Sequence, residues 1–142
     1  MRLTEEKSAQ KGTRTVLLVV SGDVNEGSPN KRLHWAARAA LDQRWQEKAA
    51  VAWLMANPPP FTGKAQISFV IYRGRELDHC NVLGSRCLKA LIDGFKGRAF
   101  EDDSPRYLRW GKVRQVTGKE YRDQPAIEII IEEVKEEGDL VY

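Results

Sequence analysis

The chain has 142 residues, of which 42% are hydrophobic, and carries a formal net charge of +3. This suits one domain around one core. No apolar run approaches the ~20 residues of a membrane helix, and the N-terminus lacks an apolar signal core. Cys80 and Cys87 are too few for a disulfide framework or a four-cysteine zinc site, so reduced thiols and a cytoplasmic location are expected. The charge is uneven. From Ala126 to Tyr142 six acids face only Lys135, a balance of −5 that leaves +8 on the rest of the chain. A basic face of that size suits nucleic acid as well as it suits a solvated surface.

Residues 1–12 are polar, without periodicity, and read as a loose arm. Thr15 to Ser21 is rich in β-branched residues and almost wholly apolar, which reads as a strand covered on both faces. The Gly, Asn, Ser and Pro of Gly22 to Asn30 end it. Lys31 to Ala56 contains no Gly or Pro and predicts a long helix, with Leu41, Trp45, Ala49, Ala52 and Trp53 on one stripe and a basic first half. At that spacing the tryptophans belong to a core. Pro58 to Pro60 stops the helix. Lys64 to Tyr72 then alternates, predicting a half-buried strand.

Arg73 to Trp110 is the chemically dense stretch. Asp78 follows the strand, flanked by Arg73 and Arg75. Asn81 is a plausible N-cap for a helix whose Leu88, Leu91, Ile92 and Phe95 face a core and whose Lys89 and Asp93 form an i, i+4 pair. The helix runs out around Gly94 to Gly97. Phe100 then anchors the chain before Glu101, Asp102 and Asp103, and Pro105 closes the turn. If the helix packs back along its strand, Asp78 and the Asp102/Asp103 pair converge. Two or three carboxylates beside a lysine make a hard-oxygen site for Mg²⁺ of the kind used in phosphate chemistry. Tyr107 to Val116, with a bulge expected at Gly111, and Ala126 to Val134 predict two further strands paired as a hairpin. Residues 135–142 read as an acidic tail. The expected fold is α+β: a single compact domain, a mixed sheet of about four strands and two helices in the order β-α-β-α-β-β.

These residues resemble the signature of the RusA-like Holliday junction resolvases, crossover junction endodeoxyribonucleases, and especially their phage-type members. The matching positions are Asp78, Asn81, Lys89, Asp93, Gly94, Asp102 and Asp103. A second segment, Pro29 to Trp35, resembles the phage-type stretch after the first strand. The likeness spans roughly Thr15 to Val134.

It implies a Mg²⁺-dependent hydrolase, with Mn²⁺ as a substitute, that acts as a homodimer on branched DNA in recombination and repair. Asp78, Asp103 and Lys89 would be catalytic, and Asp78, Asp102 and Asp103 would hold the metal. Lys31, Arg32, His34, Arg38, Arg73, Arg75 and Arg109 would contact DNA. The chain departs from the family at Cys80, where a second aspartate is expected, and in a longer step from Asn81 to Lys89. A protonated thiol is a poor substitute for a carboxylate on Mg²⁺. A shifted reading pairs Glu76 with Asp78 instead. The rival functions are a junction-binding protein with impaired catalysis, and an α+β domain with protein partners only.

Overall fold

A computed structural model describes residues 4–8 and 13–135. The elements, in chain order, are β1 (Thr4–Ser8), β2 (Arg14–Ser21), α1 (Trp35–Ala56), β3 (Ala65–Arg73), α2 (His79–Leu83), α3 (Arg86–Phe95), β4 (Leu108–Thr117) and β5 (Ala126–Glu133). They form an α+β domain around a five-stranded mixed sheet in the order β1-β2-β5-β3-β4. Only β3 and β4 run parallel.

Three expectations are corrected here. β4 and β5 do not form a hairpin: β5 lies antiparallel between β2 and β3, while β4 joins the far side of β3. The reason lies in their side chains and connections. Ile127, Ile129 and Ile131 of β5 are fully buried, as a central strand requires, whereas Arg109, Lys112 and Arg114 leave β4 fit only for an edge. The helical crossover between β3 and β4 is also the connection that parallel pairing needs. Secondly, β2 is not covered on both faces. It buries Val16, Leu18 and Val20 and leaves Leu17 and Val19 half-exposed. Thirdly, residues 4–8 of the expected loose arm pair antiparallel with β2 as a fifth strand. The rest of that arm and residues 136–142 of the acidic tail lie outside the described residues.

The bulge expected at Gly111 is present. Ile67 pairs with Trp110 and Phe69 with Val113, so Gly111 and Lys112 together oppose Ser68. The extra backbone amide is used, since Lys112 N donates to Ser68 Oγ at 3.2 Å.

Alternate residues of β2, β3 and β5 share one core with Leu41, Trp45, Ala49 and Trp53 of α1 and Leu88, Leu91, Ile92 and Phe95 of α3. Burying each such Leu, Ile or Phe contributes ~1.5–3 kcal/mol relative to leaving it in water. α1 begins four residues later than its composition suggested, because His34 caps it: its Nδ1 accepts from Ala36 N at 3.2 Å. At the other end Asn57 takes the left-handed conformation (φ 52°) and closes the helix on the Trp53 carbonyl.

Candidate functional site

The segment after β3 is two helices rather than one. Asp78, not Asn81, is the first N-cap: its Oδ1 accepts from Cys80 N at 3.0 Å. Gly84 ends α2, and Ser85 starts α3 by accepting from Cys87 N at 3.2 Å while donating to the Val24 carbonyl at 2.7 Å. Asn81 lies inside α2 instead, where its Oδ1 accepts from Asn30 Nδ2 at 3.3 Å. This contact joins the two stretches that carry the family likeness, the Pro29–Trp35 segment and the acidic turn.

α3 turns Leu88, Leu91, Ile92 and Phe95 into the core and leaves Lys89 and Asp93 on its outer side. Beyond it the chain doubles back on itself. Gly97, at φ +80°, donates to the Phe100 carbonyl at 2.7 Å, and Phe100 is buried. The reversal returns the acidic turn to the helix. Lys89 Nζ donates to Asp103 Oδ2 at 3.0 Å and to Asp93 Oδ1 at 3.1 Å. Lys96 Nζ stands 3.7 Å from Asp102 and 3.9 Å from Asp103. The hydrogen bond from Lys89 holds the Asp103 carboxyl below the usual carboxylate range, and the same bond raises the lysine's pKa.

The structure therefore brings together Lys89, Asp93, Asp102 and Asp103, and adds Lys96, which the sequence reading did not single out. Its signal was modest: a lysine at the end of α3, just before the Gly97 reversal. Asp78 takes no part in this ion-pair group. Among the described residues no set of three or more His, Cys, Asp or Glu side chains is placed to hold a metal ion. That applies equally to the shifted Glu76/Asp78 pair. The acids that do converge spend their oxygens on ammonium groups, and Cys80, exposed on α2, supplies no hard donor. The residues as they stand do not fit a ready-made Mg²⁺ cage.

Most of the candidate DNA contacts are at the surface. Lys31, Arg32, His34, Arg38, Arg75 and Arg109 are exposed. Arg73 is different: its Nε and Nη2 bind the two oxygens of Asp23 at 3.1 and 3.3 Å. His34 uses one ring nitrogen as the α1 cap, and Arg109 Nε donates to Gln66 Oε1 at 2.7 Å.

No helix among the described residues is long and apolar enough to cross a membrane. No protein-family model matches the chain, and no curated protein matches it.

Proposed function

We propose that this protein is a RusA-like, structure-selective endonuclease that resolves Holliday junctions or other branched DNA in recombination and repair. It would work as a homodimer in the cytoplasm of a bacterium or a phage-infected host. The observation that carries the reading is Lys89 bridging Asp93 and Asp103, because it gathers three of the motif positions from α3 and the turn beyond it. An ammonium held at that point by two carboxylates can be handed to a DNA phosphate, where it neutralises charge that builds up during cleavage. The exposed cations of the Lys31–Arg38 segment, with Arg75 and Arg109, supply sequence-independent backbone contacts. The reading calls for Mg²⁺, or Mn²⁺ in its place. That ion is commonly bound by one or two carboxylates together with substrate phosphates, so the DNA would contribute oxygens that the chain alone lacks.

A second reading is favoured by a specific observation: Cys80 stands where the family has an acid, and no three-donor group exists among the described residues. On that reading the protein binds junctions and has lost most of its cutting. The two separate on a four-way junction incubated with native protein, Asp78→Asn, Asp103→Asn and Cys80→Asp in Mg²⁺ or Mn²⁺. Cutting by native protein that disappears in both Asn variants supports the nuclease. Cutting seen only with Cys80→Asp supports the binding protein.

A further inference from the structure

Where β3 ends, three separate stretches of chain close around a cavity of about 430 Å³ lined by Asp23, Arg73, Gly74, Arg75, Arg122 and Pro125. The backbone ties them together: Gly22 N donates to the Pro125 carbonyl at 2.9 Å, and Gly118 N to the Arg73 carbonyl at 3.2 Å. Tyr72 and Tyr121 pack ring to ring at 5.1 Å just behind. Gly74 allows the close approach, since a Cβ there would stand 3.2 Å from both Cα and Cβ of Arg122.

The charges in this cavity are not balanced. Arg73 is fully engaged, with two nitrogens on Asp23 and the third on the Arg75 carbonyl. Asp23 is spent as well: Oδ1 also accepts from Asn25 N at 2.9 Å, and its other oxygen faces Arg73. Burial alone would raise the Asp23 pKa, but the Arg73 and Asn25 bonds outweigh it and keep the carboxylate charged. The pair is a neutral, rigid wall. Arg75 and Arg122 are exposed at the mouth of the cavity, and among the described residues neither guanidinium has an acidic partner. Two planar forks beside a preorganised wall, with the only lining acid already neutralised, match a tetrahedral phosphate.

We propose that Arg75 and Arg122 form a socket for a phosphate, filled by a backbone phosphate of the DNA arm that leads into the Asp78 turn. This rests on the DNA reading above and sharpens it: Arg73 becomes the support of the socket rather than a contact, and Arg122, from the turn before β5, becomes the second contact.

The test is junction binding without metal as a function of salt, so it needs no cutting. Replacing both arginines (Arg75→Ala with Arg122→Ala) should weaken binding about tenfold and flatten the log–log salt slope by about one to two, near 0.9 per lost phosphate contact. Both side chains lie outside the core, and the single variants, each expected to give about half the slope change, serve if the double variant melts early. A native-like double variant with an unchanged slope would overturn the socket alone. So would inorganic phosphate or a mononucleotide binding the native pocket at millimolar concentration while DNA affinity ignores both arginines, which marks a free-anion site. Native protein that binds no DNA would overturn the underlying DNA reading and the socket with it.

Discussion

At the residue scale the account turns on Lys89 and its acids. Asp103 has a lowered pKa, so its share of the pair is present above about pH 4 and lost as pH falls through the depressed value. Lys89 has a raised pKa, so its share is present below about pH 10.4 and lost as pH climbs through the raised value. A Lys89→Met variant should therefore melt earlier than native protein by a constant margin from about pH 5 to 9, with the margin closing in stronger acid. The pair is largely solvent-exposed, so the effect should be only about 0.5 kcal/mol. Circular dichroism melts across that pH range measure it, and a margin that changes through neutrality would contradict the assignment.

The two cysteines differ in the same way that geometry separates functional from structural groups. Cys87 is buried behind Gly27 and its thiol is pushed up to about 11 by desolvation, whereas Cys80 is exposed. Iodoacetamide on native protein should label Cys80 and spare Cys87, with both labelled after denaturation. Equal labelling in the native state, read by mass spectrometry, would mean the α3 N-terminus is not packed as described. The Lys89–Asp93 pair was legible from its i, i+4 spacing alone. The Asp78 cap was not, because the stretch from Asp78 to Asn81 offers two capping side chains, and only the second start signal at Gly84-Ser85 decides between them.

At the scale of elements, the contact between α1 and α3 sets where the acidic turn lands. Gly94 is the point of closest approach: an added Cβ would overlap the Gln46 carbonyl oxygen and sit 2.8 Å from Ala49 Cβ. Neither is the yielding end of a long side chain. Gly94→Ala should cost ~1–3 kcal/mol despite the better helix propensity of alanine, because the helices must move apart. A denaturant melt checks this; a stabilised variant would show that the approach is looser than described. The glycine that the family likeness marked beside Asp93 thus has a packing role.

Strand existence was readable from period and composition, including the Gly111 bulge. Strand partners were not. The alternation of Ile127, Ile129 and Ile131 reports a buried face but says nothing of which neighbours lie on either side. The default that consecutive strands pair failed, because β3, reached through α1 and joined to β4 by α2 and α3, takes β5 on one side and β4 on the other.

At the scale of the whole molecule, the sheet divides the charged surface in two. The socket and Asp78 follow the C-terminal end of β3, while the Lys89–Asp103 group precedes β4, whose first residue pairs with the first residue of β3. A nucleic-acid strand serving both would run beside the α2–α3 segment, past basic residues rather than the acidic end of the chain. If the protein resolves junctions as a two-fold dimer, each copy presents one such track and the two cuts are related by that symmetry. The most direct measurement is to label each strand of a four-way junction in turn, add native protein with Mg²⁺, and map the products. The account predicts paired nicks at symmetric phosphates on two opposing strands, absent on a linear duplex of the same sequence and absent with Asp103→Asn. A junction left intact by native protein, or a linear duplex cut as readily, would contradict it.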